Sequence, residues 1–85
     1  MARNDFLTEQ QFNDKYPELV KRYRDEMIKR GIDPAMFYFT QASEADYQGD
    51  RHVEAFYSNE FDENLSVYVE VNLDADEFNL SVNSD

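Results

Sequence analysis

The chain has no cysteine, one histidine, two glycines and only 8 lysines and arginines in 85 residues. Without cysteine there is no disulfide, no thiolate nucleophile and no zinc site of the Cys type. Gly31 and Gly49 alone cannot make a Gly-rich loop that cradles phosphate. No apolar run approaches the roughly 18 residues of a transmembrane helix. The opening Met1-Ala2-Arg3-Asn4-Asp5 does not lead into the apolar stretch of a signal peptide. The expectation is a cytoplasmic protein without a membrane partner.

The scarcity extends to catalytic groups. His52 is the lone imidazole, and no serine stands in a G-x-S-x-G context, so no catalytic triad is legible. His52-Val53-Glu54 matches the H-x-E fragment of zinc deaminases but lacks its P-C-x-x-C partner. His52 therefore reads as a strand-end or surface histidine. Asp74-x-Asp76-Glu77 and Asp62-Glu63 lack the glycine spacing of a calcium loop. No enzyme, cofactor or metal is expected.

What the chain has is acid. Nineteen Asp and Glu give a formal net charge of −11. The excess is segregated: residues 1–30 hold six acids and seven bases, whereas residues 31–85 hold thirteen acids and one base, Arg51. A salt-adapted protein would spread its carboxylates, and a disordered acidic tail would lack aromatics. Here the acidic part is rich in Phe and Tyr. Direct binding to nucleic acid is disfavoured, because phosphate is repelled. Lys21-Arg22-x-Arg24 with Lys29-Arg30 reads instead as the solvated face of a helix, paired with Glu18, Asp25 and Glu26.

The pattern predicts one small acidic domain over 1–85, with helices first and strands after. Thr8-Glu9-Gln10-Gln11 fits a capping box, and Leu7 with Phe12 fits a hydrophobic staple. Pro17 ends a short first helix and suits the first turn of a second, running to Arg30. Phe12, Tyr16, Leu19/Val20, Tyr23 and Met27 form one apolar stripe. Gly31 fits the left-handed cap, and Asp33 fits a cap for one short turn. Residues 35–47 read equally as helix or strand, and 43–51 as a polar loop. Residues 52–58 alternate loosely. Leu65 to Leu73 and Phe78 to Val82 alternate cleanly, as strands covered on one side only. The expected fold is α+β, an N-terminal helix or helix pair packed on one face of a three- to four-stranded antiparallel sheet.

The candidate site is the acidic surface itself. Glu44, Asp46 and Asp50 are assigned to the loop before the first strand, Glu60, Asp62 and Glu63 to the next turn, and Asp74, Asp76 and Glu77 to the last. Glu70 and Tyr68 project from the polar strand face. The turns near 62 and 75 bracket one strand, so they stand roughly 30 Å apart, close to the roughly 34 Å turn of DNA. Such an array can stand in for phosphates towards the basic surface of a nucleic-acid-binding protein. The expectation is a non-enzymatic inhibitor, similar in physical type to phage-encoded anti-restriction, anti-CRISPR or glycosylase-inhibitor proteins, as a monomer or homodimer. The alternative is a small adaptor or assembly subunit that docks or dimerises through Tyr38, Tyr47, Phe56 and Phe61 and an exposed strand edge.

Overall fold

The computed structural model describes residues 4–84. Strand β1 (Asn4–Leu7) precedes two helices, α1 (Glu9–Lys15) and α2 (Pro17–Lys29). One 3-10 turn (Pro34–Met36) leads into β2 (Phe37–Tyr47), β3 (Asp50–Asn59), β4 (Leu65–Asn72) and β5 (Glu77–Ser84). The five strands form one antiparallel sheet in the order β1-β2-β3-β4-β5.

The helix signals act as their chemistry requires. Thr8 Oγ1 accepts from the Gln11 N–H and Gln11 Oε1 accepts from the Thr8 N–H, closing the capping box. Pro17 opens α2, where its missing N–H leaves nothing unsatisfied. Arg30 caps α2, and Gly31 follows at φ 78°, a left-handed geometry that glycine adopts without strain. Asp33 caps the 3-10 turn by accepting from the Ala35 N–H. Lys21–Asp25 and Arg30–Glu26 are i,i+4 ion pairs on the outer face of α2.

Two expectations need correction. The sheet has five strands, not three or four, because β1 adds to one edge and β2 is a full strand. Residues 43–51 are therefore not a loop. They hold the end of β2, the two-residue turn Gln48-Gly49 and the start of β3. Gln48 and Gly49 have φ of 52° and 84°, as a type I′ hairpin turn needs. Glu44 and Asp46 thus lie on β2, and Asp50 opens β3. The alternation of β2 was obscured by an irregularity between Phe39 and Gln41. The extra residue reverses the strand's phase: Phe37 and Phe39 face the helices before it, Ala42 and Glu44 after it.

The helix stripe covers one sheet face. Phe12, Leu19, Tyr23 and Met27 pack on Phe37, Ala42, Val53, Ala55, Tyr57, Val67, Val69, Val71 and Leu80. The Tyr23 and Tyr57 rings stack, with centroids 4.1 Å apart and planes 9° from parallel. The Tyr23 hydroxyl is buried without a hydrogen-bond partner among the described residues. Leaving such a group unpaired costs about 1–3 kcal/mol. Tyr23→Phe is therefore expected to hold or raise stability by about 1 kcal/mol. A urea midpoint that falls in this variant would show that the hydroxyl has a partner after all.

Candidate functional site

Among the described residues, no layer covers the second face of the sheet. Alternation assigns to it His52, Glu54, Phe56 and Ser58 of β3, Ser66, Tyr68, Glu70 and Asn72 of β4, and Asn79, Ser81 and Asn83 of β5. Asp50 and Glu77 stand on the same face at the strand ends. This open face carries four carboxylates: Asp50, Glu54, Glu70 and Glu77. Among the described residues it carries no lysine or arginine. Six of the seven described bases belong to the helices and the α2 cap, and Arg51 points from β3 towards the helix side.

Its centre is unusual for a solvated sheet. Glu54 and Glu70 are direct cross-strand partners. Like charges in that position destabilise a sheet. Tyr68 stands beside them, its hydroxyl 3.0 Å from Glu54 Oε1 and 3.1 Å from Glu70 Oε2. One phenol proton thus serves two carboxylates. Desolvation, then the bond to Glu54, pushes the Tyr68 pKa well up, so the phenol stays protonated as a donor. His52 Nδ1 lies 3.7 Å from Glu70 Oε1. The Phe56 ring packs on Tyr68 with centroids 4.8 Å apart. At the strand end Asn72 donates to Asp50 Oδ2 at 3.0 Å.

The other predicted acids lie elsewhere, in two groups. Glu44 and Asp46 point from β2 towards the helix side, where Glu44 accepts from the Tyr16 hydroxyl and pairs with Lys15 Nζ at 2.7 Å. Burial, then the bond to Glu44, drives the Tyr16 pKa up. Asp46 is the cross-strand partner of Arg51. Arg51 also reaches Asp74, at 3.1 Å from Nη2 to Oδ1, while its backbone N–H donates to Asp74 Oδ2 at 2.7 Å. These bonds hold the Asp74 carboxyl below its ordinary pKa. Arg22 Nη1 stands 3.4 Å from Asp76 and packs over the Phe78 ring. At this end of the molecule three bases, Lys15, Arg22 and Arg51, each pair with an acid. The same end has a shallow pocket of about 290 Å³ bordered by Lys15, Tyr16, Glu44, Asp46 and Arg51. An adjoining one of about 390 Å³ lies beside Leu19, Arg22 and Leu73.

The remaining group, Glu60, Asp62 and Glu63, occupies the exposed turn at the opposite end of the sheet. Asn59 Oδ1 accepts from the N–H groups of Phe61 and Asp62, and Asp62 Oδ1 from that of Asn64. Asn72 repeats this device at the next turn, accepting from Asp74 and Ala75. Asp62 and Asp74 thus shape turns as well as carry charge.

The structure brings Asp50, Tyr68, Glu70 and Glu77 onto one face. It separates from them Glu44, Asp74 and Asp76, each paired with a base, Asp46 opposite Arg51, and the turn group Glu60, Asp62 and Glu63. Glu54, the partner of Glu70, was missed. Its signal was present: in the 52–58 alternation it stands opposite in phase to buried Val53 and Ala55. No group of three or more His, Asp or Glu among the described residues is placed to hold a metal ion. No described helix is long and apolar enough to cross a membrane. Comparison with protein-family models, curated proteins and solved structures finds no match.

Proposed function

We propose that the protein is a binding protein whose open sheet face docks on a basic surface, that of a protein which otherwise binds nucleic acid. The observation that carries this reading is the uncovered face with Asp50, Glu54, Glu70 and Glu77 and no described base. Repulsion between Glu54 and Glu70 is relieved when a cation enters between them. The free protein therefore stores a preference for a positively charged partner group. Tyr68 and Phe56 beside the pair offer the flat aromatic surface on which a guanidinium stacks. Asn79, Asn83 and Ser81 beside them are exposed and supply hydrogen bonds. The turn carrying Glu60, Asp62 and Glu63 extends the field to the far end of a molecule 38 Å long. The function is stoichiometric inhibition by occupying the partner's nucleic-acid site, and counter-defence inhibitors of the phage type belong to this physical class.

The test is capture of partners from nuclease-treated lysate, followed by competition with DNA or RNA. The captured protein should be released by high salt and by its own nucleic acid. Glu54→Gln and Glu70→Gln should each weaken binding yet raise the stability of the free protein by about 0.2–1 kcal/mol, since each removes the opposed charge. Reversal of Asp50, Glu54, Glu70 and Glu77 to Lys should abolish binding. A partner retained by the reversed variant sinks the proposal, and so does one indifferent to nucleic acid.

A further inference from the structure

The two edges of the sheet differ. The β1 edge is four residues long and includes Asp5. The β5 edge is eight residues long and pairs with β4 in unbroken register from Asn72↔Glu77 to Leu65↔Ser84. It has no proline, glycine, lysine, arginine or bulge, and its one charge, Glu77, stands at its start. Alternate N–H and C=O groups of such a strand point away from β4, its one neighbour among the described residues. Natural sheets normally blunt an edge of this kind with charge, proline or a bulge. None of these protects β5.

We infer that β5 pairs antiparallel with β5 of a second copy, about a twofold axis through Leu80, to make one ten-stranded sheet. The register follows from the faces. Phe78, Leu80 and Val82 face the helices, and paired residues must share a face. With the axis at Leu80, each Phe78 meets the second copy's Val82, and Leu80 meets its own mate. Phe78 and Val82 are half-buried in one copy and packed against the core, with Arg22 over the Phe78 ring. Moving the axis to Asn79 or to Ser81 loses a Phe78–Val82 contact on each side. On the open face Asn79 then meets Ser81, and Glu77 meets Asn83, so no two carboxylates oppose each other.

The net charge of −11 does not forbid this contact. The two Glu77 side chains lie six positions apart along the pair, roughly 20 Å. That exceeds the screening length of about 8 Å at physiological salt. Screening of the remaining charge makes the dimer tighter as salt rises. Binding of a basic partner to the open face has the opposite salt dependence. The two proposals therefore stand or fall separately: the dimer is measured on the pure chain, with no partner.

Sedimentation equilibrium at low and high salt should give a dimer that strengthens with salt. Asn79 and Ser81 are exposed. The double variant Asn79→Lys/Ser81→Lys faces lysine with lysine across the axis and should weaken dimerisation about tenfold or more. Because the chain is free of cysteine, thiols report the register directly. Asn79→Cys/Ser81→Cys should oxidise to a covalent dimer, as directly opposed Cα atoms lie within about 5.5 Å. Ser81→Cys alone should not, since its mate is two residues out of step. A monomer at every concentration and salt overturns the proposal, as does a dimer that the lysines leave intact. Equal cross-linking by Ser81→Cys alone overturns the register.

Discussion

Phe12→Ala is expected to cost about 3–5 kcal/mol, the range for removing a buried Phe ring. Phe12 is the only buried residue of α1 and is 2% exposed. Its ring contacts Tyr16 and Phe39, each with centroids 5.9 Å away. A seven-residue helix does not hold its shape in water without such an anchor. The loss would reach further, because α1 ends at Lys15 and the following Tyr16, which hold Glu44 of β2. Domains of this size have a total stability of about 5–15 kcal/mol, so the variant sits near or below the folding threshold. Urea titration followed by ellipticity checks it. A loss under about 1 kcal/mol would mean that Phe12 is not an anchor.

The second large effect is alkaline unfolding. Burial pushes the Tyr23 pKa up to about 12 from an ordinary 10.0. Burial also pushes Tyr57 well up, reinforced by Tyr23 and then Glu9. The sign follows from linkage. A phenol whose pKa is higher in the folded state keeps its proton while the unfolded chain loses it. Stability is fully present below pH 10, falls as pH rises past that value and is lost as pH passes the folded pKa. For Tyr23 alone, the gap between about 10 and about 12 corresponds to roughly 3 kcal/mol. Both side chains are buried, at 5% and 7% exposure, so solvent screening reduces this little. With Tyr16 and Tyr68 moving the same way, the domain should unfold cooperatively between pH 10 and about 12. Tyrosinate absorbance and far-ultraviolet ellipticity should change together. Full tyrosinate absorbance with unchanged ellipticity would refute it. Tyr23→Phe should move the transition to higher pH.

The helices and the last two strands were legible in the sequence because their signals are local. A capping box spans four residues, Pro17 and Gly31 punctuate alone, and Val67-x-Val69-x-Val71 needs no partner to show its period. β2 was not legible. Its irregularity at Phe39/Gln41 breaks the alternation, and the Gln48-Gly49 turn lacks the Asn or Asp that marks such hairpins. β1 is four residues long and makes sense only beside β2. The segregation of charge along the chain was legible, but its folding in space was not. Lys15, Arg22 and Arg51 reach Glu44, Asp76 and Asp74 across 23 to 54 residues of chain, and no periodicity reveals such pairs. Three of the ten predicted acids are thereby paired with bases, and the remainder is sharper because Glu54 joins it.

The strand order also sets how the chain assembles in time. From β2 onward every strand pairs with the one made just before it, through turns of two to five residues. Loop closure of this kind is fast, because little chain entropy is lost before contacts form. The pairing of β1 with β2 is different, since both helices lie between them. On a ribosome the N-terminal third emerges first and has no surface to pack on until β2 and β3 arrive. The hairpin meander can assemble as a growing template, with the helix pair closing over it and β1 joining last. Interactions made at that late step, Phe12 foremost, would then govern how slowly the finished domain opens rather than how quickly it forms.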